Sequence, residues 1–188
     1  MPAFDDIRLT TNRLYLRPLC DGDASALFAI YSDPRIMRFW SSPPWTDIAS
    51  AQEKIARNLS GMSAGSSVGF GIFSLADDQL LGTCDLFHLD QQCRRAEVGY
   101  GLAFDAWGQG YMQEAMLALL DYGFKELQLN RIEADIDPGN EASAKLLSRM
   151  GFQLEGLLRE RWIVGGEKSD SAMYGLLLSE WQSRQKQV

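Results

Sequence analysis

Between positions 68 and 104 three apolar runs follow one another with almost nothing between them. Residues 68–75 read VGFGIFSL, residues 80–89 read LLGTCDLFHL and residues 95–104 read RAEVGYGLAF. The connections are the short polar stretches ADDQ and DQQCR. Links that short cannot hold a crossover helix, so the three runs predict an antiparallel meander. The period then changes. From near Gly110, apolar residues recur at Met112, Met116, Leu119, Leu120, Phe124 and Leu127, at spacings of three and four, which predicts a helix. A strand therefore runs into the loop WGQG and a helix leaves it.

The rest of the chain extends this plan. RLYLRPL, residues 13–19, alternates like a half-buried strand. Asp21 or Asp23 can cap a helix whose apolar positions include Ala24, Leu27, Phe28 and Tyr31. SSPPW breaks that pattern, and a second helix starts at Thr46 or Asp47 and runs to about Met62. RIEADI, residues 131–136, is a strand, and DPGN turns the chain into the helix EASAKLLSRM, which Gly151 ends. Residues 152–178 read as strands joined at Gly165–Gly166. The sum is an α/β fold, a mixed and mostly antiparallel sheet with helices on its faces. The two short helices before the small polar stretch 61–69 are too little for a core of their own, so one domain is expected.

Composition removes several classes of function. The formal charge is −7 over 188 residues, and there is no basic stripe, which argues against a nucleic-acid partner. Cys20, Cys84 and Cys93 are odd in number and form no CxxC, so neither a disulfide framework nor a metal site is expected. His88 is the single histidine and as a base would have to work alone. No apolar run reaches the ~18 residues of a membrane span. The first ten residues lack a leader pattern, and a cytoplasmic location is the expectation.

The loop WGQG bears on the chemistry. A dinucleotide site needs G-x-G-x-x-G after a parallel strand, but position 113 is Gln and the preceding strands read as antiparallel. A P-loop needs a lysine that does not follow Gly110. Backbone N–H groups at a strand–loop–helix junction can hold a pyrophosphate without any lysine. On these residues alone, a plain helix-starting turn stands beside that reading.

The ordered set of segments resembles the GNAT-type acyl-CoA N-acetyltransferases, in the subgroup similar to ribosomal-protein N-terminal acetyltransferases. LTTNRLYLRPL, SDPRIMRFW, RRAEVGYGLAFDAWGQGYMQEAM, NRIEADIDPGNEASAKLLSRMGFQLEG and LRERWIVGGEKSDSAMYGLLLSEW carry it in order, across residues 9–181. The resemblance implies acetyl-CoA as donor and a primary amine as acceptor, with a protein N-terminus such as that of a ribosomal protein preferred and a small-molecule amine (an amino acid, a polyamine or an antibiotic) as the alternative. A non-catalytic acyl-CoA sensor is the rival from another class. It implies neither a metal nor a membrane, and leaves monomer and homodimer open. The family loop Q/R-x-x-G-x-G/A falls on residues 107–112, with Gly110 as its central glycine and Trp107 and Met112 as departures. Backbone donors of Gln109, Gly110, Tyr111 and Met112 would meet the pyrophosphate. Leu102, Ala103 and Phe104 would contact the pantetheine arm through the backbone, and Asn140 would contact it too. Arg38, Phe39, Trp40 and Trp162 would shape the acceptor side.

Acetyl transfer needs a neutral amine and a stabilised leaving thiolate. Glu97 lies in an otherwise low-charge strand, and alternation places it on one face with Gly99 and Gly101, where missing side chains leave room for an acceptor. It is the candidate base, against the simpler reading of a glutamate paired with Arg94, Arg95 or another arginine. Many family members carry a tyrosine acid seven residues after the position of Asn140; here that residue is Leu147. The subgroup implies Ser143 as the hydroxyl near sulfur, with Tyr100 and Tyr111 as weaker donors.

Overall fold

The computed structural model describes residues 7–185, so most of the stretch read for a leader lies outside the described residues. Eight strands form one sheet among them, in the spatial order β1-β2-β3-β4-β5-β6-β8-β7. They are β1 (Leu9–Thr10), β2 (Leu14–Arg17), β3 (Val68–Ser74), β4 (Leu80–Asp90), β5 (Arg95–Leu102), β6 (Arg131–Ile136), β7 (Gln153–Val164) and β8 (Glu167–Leu177). The helices are α1 (Ala24–Tyr31), α2 (Pro34–Met37), α3 (Ala49–Ala64), α4 (Tyr111–Lys125), α5 (Glu141–Met150) and α6 (Leu178–Gln185). The mostly antiparallel α/β architecture with helices on both faces is the one the sequence predicts.

One pair breaks the antiparallel rule, and it positions the site. β5 and β6 run parallel and pair only over Arg95–Glu97 against Arg131–Glu133. Beyond Glu97 the two strands part, and the C-terminal half of β5 faces a gap. On one side of the sheet α4 and α5 bury Met116, Leu119, Leu120 and Leu147 against Phe70, Leu86 and Ile132. On the other side α1 and α3 bury Leu27, Tyr31 and Ile55. Burial of such side chains contributes about 1.5–3 kcal/mol each before the entropy cost.

Several boundaries move for local reasons. β2 stops at Arg17, before Pro18, which has no N–H to give a ladder. Asp23 does not cap α1 with its side chain. Its carboxylate is held by Arg17 at 2.7 Å and by the Cys20 N–H at 2.8 Å instead. Asp33 caps α2, a helix the sequence reading passed over, by accepting from the Arg35 N–H. α3 begins at Ala49, with Asp47 accepting the Ala49 N–H at 2.9 Å. The last strand ends at Leu177, where α6 begins with Glu180 accepting the Leu177 N–H at 2.9 Å. β5 ends at Leu102, and Phe104–Ala106 form a 3-10 turn.

Candidate active site

The donor end of the site is made of backbone. Gly108 and Gly110 have φ of +72° and +80°, a region that costs other residues strain, and nothing lies within 4 Å of a Cβ built on Gly108. Gly110 is the N-cap of α4 and no side chain caps that helix. The first amides of α4 therefore have no intrahelical partner and the positive end of its dipole is open. Gln109 turns its side chain back onto the Asp105 carbonyl at 2.8 Å, leaving the loop surface to main-chain atoms. This is the arrangement an anion needs.

The end of β5 explains the departure at Trp107. The Ala103 N–H bonds the Leu81 carbonyl across to β4 at 2.7 Å. By strand alternation, Leu102 turns its own backbone groups to the opposite edge, the gap beside β6. There the Trp107 indole N–H donates to the Leu102 carbonyl at 2.8 Å. The Ala103 carbonyl accepts from Ala106 and the Phe104 carbonyl from Trp107. Among the three residues expected to meet the pantetheine arm, Leu102 is thus the one aimed at the gap.

The acceptor end is a cavity of about 1040 Å³. Arg38, Phe39, Trp40, Glu97, Tyr100, Asn140, Ser143 and Trp162 all line it. The structure thereby gathers both candidate catalytic residues, Asn140 and all four acceptor-side residues. Leu102, Ala103, Phe104 and residues 109–112 lie apart from that wall, at the end of β5 and the start of α4. Of the two glycines expected to leave room for an acceptor, Gly99 lines this cavity, with a Cβ there 3.1 Å from Phe87, whereas Gly101 is not among its lining residues: Tyr31 and Trp40 fill the space, 2.9 and 3.0 Å from a Cβ built on it. Trp40 is packed edge-on against Tyr31 with ring centroids 5.0 Å apart, so it is a wall rather than a free side chain.

Glu97 and its partners form the polar centre. His88 Nδ1 lies 3.3 Å from a Glu97 oxygen. Register pairs Phe87 with Glu97, which brings the next residue alongside, a neighbourhood the composition alone does not reveal. Burial pushes the Glu97 carboxyl above its ordinary value; His88 pulls it back in part, Asp135 adds to the rise and Arg161 opposes it. Asp135 is itself bound by Arg161 at 2.8 Å and its side chain is 5 % exposed. Arg95, close by in sequence, pairs with Glu133 at 3.2 Å, not with Glu97.

Ser143 and Tyr100 meet across the gap. Their hydroxyl oxygens are 2.6 Å apart and Ser143 is buried. Burial raises the Tyr100 phenol to about 12, against a lowering by the bond to Ser143. Asn140 caps α5 by accepting the Ser143 N–H at 3.1 Å, which fixes the serine at the mouth of the gap. Leu147 is fully buried in the core. The sequence reading ranked Tyr100 low because its orientation depends on where β5 leaves β6.

The loop carries a further support the sequence reading did not single out. Arg13 donates to the Gln109 carbonyl at 3.0 Å and to Glu114 at 2.7 Å, and lies 4.4 Å from the Tyr111 ring centre. Thr11 donates to the other Glu114 oxygen at 2.6 Å, which also accepts the Arg13 N–H at 2.8 Å. Burial alone would raise the Glu114 carboxyl, but the bonds from Thr11 and Arg13 outweigh it and the net shift is downward.

The family profile described as an acetyltransferase (GNAT) domain matches residues 13–153. An uncharacterized N-acetyltransferase p20 of Bacillus licheniformis is 39 % identical over 173 residues, 92 % of this chain and 97 % of that protein. The [ribosomal protein uS5]-alanine N-acetyltransferase of Escherichia coli is 28 % identical over 182 residues, 93 % of each chain. Among solved structures, Mycobacterium smegmatis RimJ in complex with CoA-disulfide superposes with a TM-score of 0.84 at 25 % identity, covering 95 % of this chain and 90 % of that one. An uncapped glycine-flanked helix start, a parted β5–β6 pair and these matches converge: the chain belongs to the GNAT family and is an acetyl-CoA-dependent N-acetyltransferase.

Proposed function

We propose that residues 9–181 act as one N-acetyltransferase domain, in the cytoplasm, on the α-amino group of a protein N-terminus, with a ribosomal protein as the preferred acceptor. The observation that carries this reading is the charge pattern of the cavity. Two of the carboxylates that line it are matched, Asp85 by Lys54 at 3.0 Å and Asp135 by Arg161 at 2.8 Å. A polyamine would need surplus negative charge at regular spacing. A peptide end brings one amine and neutral amides, and suits a wide cleft bounded by Phe39 and Trp40 on one side and Trp162 on the other. The alanine N-acetyltransferase of E. coli supports the same acceptor by similarity.

The chemistry follows from the residues. Acetyl-CoA supplies the thioester whose acetyl carbon the amine attacks, so that a C–N bond forms and the C–S bond breaks. Glu97, with its raised proton affinity, takes the ammonium proton directly or through one water. His88 and Arg161 oppose part of the rise that burial imposes on the Glu97 carboxyl. Ser143 donates a hydrogen bond to the leaving sulfur, and the second proton, which the nitrogen sheds as the amide forms, passes through the Ser143 hydroxyl to the thiolate, so that CoA leaves as the thiol. Tyr100 donates to Ser143 and so frees the serine proton for that task. Leu102, Asn140 and the amides of residues 109–112 hold the donor in register.

The test is a panel of acceptors at fixed acetyl-CoA: N-terminal peptides, free amino acids and spermidine, with the site of acetylation read by mass spectrometry. Modification of the peptide α-amine with the highest kcat/KM is expected. A preference of about tenfold or more for spermidine or a free amino acid, about 1.4 kcal/mol in transition-state binding, overturns the acceptor assignment while leaving the transferase intact.

A further inference from the structure

We propose that Arg13 is a positioning residue for the anion-binding loop: it turns the Gln109–Gly110 peptide and holds Glu114 away from the phosphate position. This rests on the pyrophosphate reading above. In a trans peptide C=O and N–H point in opposite directions. Arg13 takes the Gln109 carbonyl at 3.0 Å on the β2 side, so the Gly110 N–H points away from it, to the open face of the loop. Gly110 has φ of +80° and no side chain of its own to hold that peptide plane. A Cβ on Gly110 would lie 3.5 Å from the guanidinium, so the arginine is packed directly against the turn.

The second half concerns charge. Glu114 sits in the first turn of α4, where a free carboxylate would turn back on the same amides that an anion needs. Here both its oxygens are occupied, one by Thr11 and the Arg13 N–H, the other by the guanidinium. The carboxylate is thereby neutralised and its direction fixed. One side chain from the start of the sheet so prepares a helix end 96 residues away in sequence.

The experiment is a calorimetric comparison of CoA with pantetheine, which keeps the thiol arm and lacks the pyrophosphate, on the wild type, R13A, R13K, and the R13A/E114Q double variant. The wild type should bind CoA far more tightly than pantetheine. R13A should weaken CoA by about tenfold, the scale of a charge-assisted bond, and leave pantetheine within about twofold. R13A/E114Q should recover part of the CoA affinity, because the unmatched carboxylate is gone. R13K should fall between wild type and R13A. Pantetheine binding also reports that each variant is folded around the site. Equal loss for both ligands, or none for either, overturns the proposal. So does full CoA affinity in R13K with no recovery in the double variant, which assigns Arg13 a direct phosphate contact. Equal affinity of the wild type for both ligands sinks the pyrophosphate reading itself, and the role of Arg13 with it.

Discussion

The donor end and the acceptor end of this cleft are built from different materials. At the proposed donor end the atoms offered to the cofactor belong to the main chain: the amides that open α4 and the backbone of Leu102 at the parted edge of β5. Glycines and the Arg13–Glu114 pair only hold them in place. At the proposed acceptor end the cavity presents side chains from several elements: Glu97, His88, Asp135, Arg161, Tyr100 and Ser143. A main-chain cradle recognises the same phosphate whatever the side chains around it. A side-chain cavity is redrawn by any substitution in its walls. The same donor can therefore serve many acceptors, and specificity lives on one side.

That contrast is open to attack. The largest effect should come from Glu97→Gln. Loss of a general base costs on the order of 10²–10⁴-fold in kcat/KM for the amine, while the CoA dissociation constant measured by calorimetry stays unchanged. A parallel loss of CoA affinity would erase the division between the two ends. Because burial raises the Glu97 carboxyl, the acid limb of kcat/KM against pH should lie above the usual carboxylate range and vanish in the variant.

Gly110→Ala probes the other end. An alanine at φ +80° carries about 1–2 kcal/mol of strain, so CoA binding should weaken by roughly tenfold while the pH profile for the amine keeps its shape. A shifted profile would show that the loop reaches into the acceptor chemistry.

Tyr100→Phe tests the bridge between them. Ser143 would keep its place but lose its partner, and kcat should fall about threefold to tenfold, the scale of one buried hydrogen bond. Tyr100→Phe combined with Ser143→Ala should cost no more than Ser143→Ala alone if the two hydroxyls act as one unit. Additive losses would separate them.

The smallest effect is on stability. A folded-state pKa above the unfolded value means that the charged form of Glu97 is disfavoured by folding. That penalty is present above the raised pKa and disappears once pH falls below the unfolded value. Glu97→Gln should therefore raise the melting temperature slightly at pH 7 and leave it unchanged near pH 4, by calorimetry. No rise at pH 7 would mean that His88 and Arg161 already offset the burial of the carboxylate.

How much of this was legible beforehand depends on the range of the interaction involved. The meander and the α4 repeat are local, and each is readable from spacing. Glu97 was a candidate because a lone charge among glycines and apolar residues on a strand is unusual in itself. Tyr100 was ranked low because nothing local says that β5 leaves β6 beyond Glu97 and opens a gap to α5. His88 was set aside as a base without help, and its partner comes from the neighbouring strand. Arg13 looked like one polar residue of an alternating strand.

By itself the sequence determined the order of the main strands and helices, the two glycines that flank Gln109 where a strand gives way to a helix, and the absence of a phenol at Leu147. Those follow from backbone sterics, hydrophobic period and residue identity, which act over a few residues. Only the tertiary structure decided that Tyr100 meets Ser143 across 43 residues and that Arg13 reaches Gln109 across 96. Such bonds form only when strand register and helix docking bring two hydroxyls, or a guanidinium and a carbonyl, within about 3 Å, and no local pattern encodes that distance.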